Sequence, residues 1–156
     1  MAYWNWNSSY ELGINVIDNQ HKKLVQYINE LQAALTTQNR EQIYMVLMGM
    51  TNYTISHFAF EEQLMEEAGY PMTKPHKKIH ESFVATIQKY KSSFEEGRNI
   101  TGQFMAELQI WLTHHIAQDD NDYKQCVEKM LEDKSLKRLE NRVESKKKSW
   151  FATLFG

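Results

Sequence analysis

Residues 57–80 read HFAFEEQLMEEAGYPMTKPHKKIH, and this stretch decides how the rest of the chain folds. It opens with the spacing His-x-x-x-Glu, His57 to Glu61, and closes with His-x-x-x-His, His76 to His80. Four residues make just over one α-helical turn, so each pair projects from one side of a helix. Gly69, Tyr70 and Pro71 stand between the pairs, where no single helix runs through. The segment therefore predicts a helix hairpin that brings two imidazole-bearing faces together. Imidazole and carboxylate converging inside a protein are the donor set of a transition-metal site.

The surrounding chain supplies partners for that hairpin. Its 156 residues suffice for one domain with a real core, and the shortage of Pro, Gly and β-branched runs favours an all-α fold. Upstream, Trp4, Trp6, Tyr10, Leu12, Ile14, Val16 and Ile17 lack sustained helical spacing, which predicts an extended arm laid on apolar surface. Asp18 is the expected N-cap of a first helix with His21, Leu24, Val25, Ile28, Leu31 and Leu35 on one stripe. Asn39 followed by Gln42 opens a second helix, whose stripe from Ile43 to Met65 includes His57, Phe58 and Glu61. Thr73 is the expected cap of a third, with His76, His80, Phe83, Ile87, Tyr90 and Phe94 aligned and Gly97 as its stop. A fourth begins near Asn99 or Thr101 and aligns Phe104, Leu108, Trp111, Leu112, His115, Ile116, Tyr123, Val127 and Met130. Short connections make these four an antiparallel up-down-up-down bundle. It occupies residues 1–133 and is followed by an extension over 134–156.

Histidine thus sits on the inward stripe of all four helices, beside carboxylates that no inward Lys or Arg can pair. A buried carboxylate costs several kcal/mol unless its charge is met, and metal cations can meet it. The ligand inventory is His21, His57, His76, His80, His115, Glu61 and an aspartate near His115. Zinc sites favour four ligands and cysteine, whereas five imidazoles with two carboxylates suit a pair of octahedral first-row ions bridged by the carboxylates. With one solvent-derived bridge, the ion holding three imidazoles is closed at six ligands. The other, with five, keeps one position for an exogenous ligand. Ideal helix geometry favours Asp119, about 40° from His115, over Asp120, about 140° away.

The stretches Ile17-Asp-Asn-Gln-His21-Lys-Lys-Leu24, His57-Phe58 with Glu61-Glu62 and Met65, Tyr70-Pro71, His76 with His80, and Trp111-Leu112 with His115-Ile116, Asp120 and Tyr123 resemble the hemerythrins, and among them the single-domain bacterial forms. The resemblance spans residues 4 to about 130 in the family's order. It implies a non-haem di-iron centre with an oxo or hydroxo bridge that binds dioxygen reversibly, for carriage, storage or delivery to oxygen-consuming enzymes, and a binding protein, not an enzyme. By position, His76, His80 and His115 would hold the closed iron, His21 and His57 the open one, and Glu61 and Asp120 would bridge. The family's H-I-x-x-x-D-x-x-Y pattern selects Asp120 where helix geometry selects Asp119, so Asp119 is expected to be dispensable. The competing classes are a di-iron oxidase or ferroxidase and an oxygen sensor acting through a partner. The Glu-x-x-His motifs of carboxylate-rich di-iron bundles are missing from this sequence, which argues against the first.

Charge and residue usage set the remaining expectations. Residues 134–156 hold seven basic and two acidic groups, a local +5 that leaves −7 of the chain's net −2 on the first 133 residues, a balance unsuited to nucleic acid. In this extension Leu136, Leu139 and Val143 recur at helical spacing before Lys146-Lys147-Lys148, Trp150, Phe151, Leu154 and Phe155, the pattern of a membrane-surface or partner-docking helix. One cysteine, Cys126, allows no internal disulfide and is read as packing. No leader-like segment opens the sequence, and the expected location is cytoplasmic. His114 is expected at the surface or just behind the ligands; Tyr90, Phe58 and Trp111 line either the ligand pocket or the core.

Overall fold

The structure is a computed structural model that describes residues 3–155; Met1, Ala2, Gly156 and the side chain of Phe155 lie outside the described residues. Its elements are a 3-10 turn Ser8–Tyr10, α1 Asn15–Thr37, α2 Arg40–Ala68, α3 Thr73–Glu95, α4 Thr101–His115, a π turn Ile116–Asp120 and α5 Asn121–Phe155. From α4 through the π turn into α5 the backbone stays helical, so these three form one continuous rod, the fourth member of an antiparallel four-helix bundle.

The arm departs from a plain extended strand at the Ser8–Tyr10 turn, where Asn7 caps Ser9. Trp4 is pinned to α1 at both backbone groups: its N–H donates to Asn29 Oδ1 and its carbonyl accepts from Asn29 Nδ2, each at 2.9 Å. Trp4, Leu12, Ile14 and Ile17 are buried, worth about 1.5–3 kcal/mol for each fully buried aliphatic side chain, while Val16 faces solvent. Asp18 does not cap α1. The helix starts a turn earlier, at Asn15, and the buried Asp18 carboxylate reaches back to accept the N–H groups of Leu12 at 2.8 Å and Gly13 at 3.0 Å.

Asn39 caps α2 as expected, accepting the Gln42 N–H at 3.1 Å. At the far end Gly69 adopts the left-handed conformation with φ 67°, which costs glycine no Cβ clash, and its N–H closes onto Glu66. Thr73 is the first residue of α3, not its cap; Met72 holds that position, and the Thr73 hydroxyl donates to the Tyr70 carbonyl at 2.7 Å. Pro75 sits in the first turn, where its missing N–H is tolerated. The four stripes meet along the bundle axis, where Leu24, Ile28, Leu31, Leu47, Met50, Ile87, Phe104, Leu108 and Leu112 are buried beside and beyond the histidines.

Candidate metal centre

His21 comes from α1, His57 and Glu61 from α2, His76 and His80 from α3, His115 from the last residue of α4 and Asp120 from the π turn. All seven are buried. Their donor atoms fall into two groups. Glu61, His76, His80, His115 and Asp120 form one, with ligand atoms within 4.8 Å of one another; His21, His57 and Glu61 form the other. Each carboxylate turns one oxygen to each group. Glu61 Oε1 lies 3.3 Å from His21 Nε2 and 3.2 Å from His57 Nε2, while its Oε2 lies 3.4 Å from His80 Nε2. Asp120 Oδ2 lies 3.1 Å from His21 Nε2, and its Oδ1 lies 3.0 Å from His115 Nε2 and 3.3 Å from His76 Nε2.

The π turn explains why Asp120, and not the Asp119 that ideal helix geometry favours, is brought into the cluster. An i to i+5 turn carries an extra residue, so Asp120, five after His115, comes round over it, as the fourth residue would in an α-helix. Asp119 is displaced to the outer side of the same imidazole, where its Oδ2 accepts the His115 Nδ1 proton at 2.8 Å.

Three of the five imidazoles are held this way through Nδ1. His57 meets Gln20 Oε1 at 2.7 Å and His80 meets Glu62 Oε1 at 2.9 Å, in addition to the Asp119 contact of His115. A carboxylate or amide oxygen only accepts, so Nδ1 carries the proton and neutral imidazole presents a lone pair at Nε2. The Nε2 atoms of His80 and His115 then face each other 3.0 Å apart, lone pair to lone pair. Two lone pairs cannot hydrogen-bond. Their convergence is what a cation between them would use.

The buried polar atoms without a hydrogen-bonding partner lead to the same conclusion. His21 Nε2, His57 Nε2, Glu61 Oε2 and both Asp120 oxygens lack one, in a protein interior where such groups are ordinarily satisfied. No Lys or Arg is among the described buried residues. The residues therefore fit a pair of divalent or trivalent ions in donor type, in charge and in the unsatisfied atoms aimed at the gap.

In the metal-free protein, protons take the place of cations. Burial alone would depress the His21 pKa, but the Asp120 and Glu61 carboxylates, 3.1 and 3.3 Å from its Nε2, outweigh it and raise the group to about 9. His115 is likewise raised by Asp120 against the effect of burial. Burial pushes Glu61 and Asp120 up, Glu61 pushes Asp120 up further, and the surrounding imidazoles overcome this and hold both well below the usual carboxylate range. Tyr123, fully buried, donates its hydroxyl to Glu61 Oε1 at 2.9 Å. Burial and the two carboxylates keep its pKa well above that of an ordinary phenol, so it remains a donor.

Aromatic rings wall the centre. Phe58 stacks on the His80 imidazole with centroids 3.8 Å apart, and Trp111 stacks on His115 at 4.3 Å and on Phe83 at 3.8 Å. Tyr90 packs on Phe104 instead, away from the site, and His114 is exposed. The sequence reading gave no role to Gln20, Glu62 or Asp119 as orienting groups. Each adjoins a candidate ligand in sequence, but Gln20 serves a histidine 37 residues away and Glu62 one 18 away.

Residues 12–127 match the family model described as the hemerythrin HHE cation binding domain. The chain belongs to the hemerythrin family. It is 42% identical over 127 residues to the bacteriohemerythrin of Pseudomonas aeruginosa, covering 81% of this chain and 83% of that protein. The bacteriohemerythrin of Stenotrophomonas maltophilia is 40% identical over the same shares, and that of Methylococcus capsulatus is 31% identical over 81% of this chain and 98% of its own. A crystal structure of wild-type hemerythrin superimposes with a TM-score of 0.77 at 26% identity, covering 81% of this chain and 98% of that one. The hemerythrin match ends near Val127, before the exposed length of α5 begins.

Proposed function

We propose that this hemerythrin binds dioxygen reversibly at a di-iron centre held by His21, His57, Glu61, His76, His80, His115 and Asp120, and serves oxygen carriage, storage or delivery. The observation that carries the reading is the division of donors: three imidazoles on one side, two on the other, and two carboxylates that each offer an oxygen to both. His21 and His57 would leave an ion on their side short of ligands. Bound iron would supply the electrons for taking up dioxygen. The chain supplies the rest. Gln20, Glu62 and Asp119 fix ring orientation, Tyr123 steadies Glu61, and Phe58 and Trp111 keep water off His80 and His115. Five imidazoles to two carboxylates also favours binding over oxygen cleavage, as carboxylate-rich bundles have the opposite ratio. The test is to load the protein with ferrous iron, count iron per chain, and cycle the sample between air and anaerobic buffer. A visible charge-transfer band that comes and goes with two irons per chain is expected; irreversible bleaching with turnover would overturn the reading in favour of an oxidase.

A further inference from the structure

The last two-thirds of α5 is a helix without a bundle around it. Lys134 Nζ still pairs with Glu67 of α2 at 2.6 Å, but every described side chain from Leu131 to Leu154 is exposed. At about 1.5 Å per residue this free length is on the order of 35 Å. At about 100° per residue, Leu136, Leu139, Val143, Trp150 and Leu154 fall within an arc of roughly 60°. They form one apolar stripe, broken between Val143 and Trp150, and each is 54–60% exposed. Lys146 and Lys147 border it on either side, while Lys137, Arg138, Arg142 and Lys148 occupy the opposite face.

We propose that this helix, from Lys134 to the end of α5, is an interfacial anchor that lies on an anionic lipid surface with its apolar stripe immersed and its lysines at the headgroups. Charge complementarity selects this occupant. The segment carries +5, and polybasic segments are drawn to anionic leaflets. A second copy of the same helix would set +5 against +5 and place Lys146 at the seam between Val143 and Trp150, where a paired helix needs an apolar residue. Spanning is not available to it, since no helix among the described residues is long and apolar enough to cross a membrane. The stripe is narrow, the flanking lysines can extend their ammonium groups to the surface, and Trp150 suits the boundary between headgroup and acyl chain. This inference is independent of the iron chemistry, because no residue of the helix approaches the metal centre.

The test is co-sedimentation of the full-length, iron-loaded protein with vesicles of phosphatidylcholine alone and of phosphatidylcholine with about a third phosphatidylglycerol. Binding is expected to the anionic vesicles and to be lost as salt rises from about 0.01 M to about 1 M, where the Debye length shrinks from roughly 30 Å to roughly 3 Å. Lys146→Glu with Lys147→Glu and Lys148→Glu should weaken it by about tenfold or more, as should Leu139→Ser with Val143→Ser and Trp150→Ser. Both triple variants should keep the wild-type iron spectrum. The proposal is overturned if the wild-type protein stays in the supernatant at low salt, if either triple variant binds like wild type, or if ultracentrifugation without vesicles reveals a dimer that the apolar variant abolishes.

Discussion

Replacing Asp120 and Asp119 separately by alanine distinguishes a carboxylate that faces both groups of imidazoles from one that only steers a ring. Asp120 is fully buried, and its two oxygens lie 3.0–3.3 Å from His115, His21 and His76. Removing one partner of such a buried charged cluster costs about 3–5 kcal/mol, or about two to four decades of metal affinity. Asp119 makes one relevant contact, to His115 Nδ1 at 2.8 Å, and its side chain is 26% exposed. Losing an orienting partner of this kind costs about 10- to 100-fold in metal affinity, and solvent screening puts Asp119 near the lower figure. Sequence alone made Asp119→Ala silent; the structure revises that to about tenfold weaker retention. The assay is anaerobic ferrous loading, desalting against a graded chelator, and measurement of iron per chain with the aerobic spectrum. Asp120→Ala should fall below two irons and lose the reversible band, while Asp119→Ala keeps both but releases iron at about tenfold lower chelator strength. An Asp120→Ala protein that holds two irons and cycles normally would refute the reasoning, as would an Asp119→Ala protein crippled to the same degree.

Metal loading should depend on pH through His21. Its pKa in the metal-free fold is raised to about 9, so the stability its proton lends that fold is full below the ordinary 6.5 and is lost as pH rises through about 9. Iron must displace that proton; ferrous affinity should therefore climb about tenfold per pH unit from about 6.5 toward 9, with proton release visible by calorimetry in buffers of different ionisation enthalpy, and a flat profile would contradict the assignment. Tyr123→Phe removes only the hydroxyl that donates to Glu61 at 2.9 Å. Loss of a hydrogen bond to a buried charged group costs about 1.5–3 kcal/mol, which at roughly 2–4 °C per kcal/mol lowers the Tm by about 3–12 °C, and an unchanged melting curve would show that Glu61 is held without it.

The bundle was legible because each of its helices repeats one stripe, and four stripes joined by short connections have few ways to bury themselves. The histidines were legible for the same reason: His21, His57, His76, His80 and His115 interrupt apolar stripes at positions that packing obliges to face inward, and all five are buried. What escaped the sequence depends on atoms that meet only after folding. Asp18 looks like a cap by position, yet the N–H groups of Leu12 and Gly13 come within reach only because the arm doubles back onto α1. Nothing in Ile-Ala-Gln-Asp-Asp marks a π turn, which forms where its extra residue is compensated by what it places in the core.

That compensation ties the π turn to the metal centre. A π turn has poorer packing than an α turn and persists where function retains it. Here its extra residue performs two tasks that one aspartate could not. Asp120 is brought inward against His21, His76 and His115, and Asp119 is left outside to hold the Nδ1 proton of His115. Downstream of the turn, Tyr123 and Val127 still face the core, and Tyr123 reaches back to Glu61 on α2, so the two inward carboxylates are fixed from the same short segment. A straight α-helix through residues 116–120 would direct one aspartate at His115 and carry the other away around the surface. The local irregularity and the paired, unsatisfied carboxylates are therefore one feature of the fold, and cations held between the imidazoles would offset the cost of both.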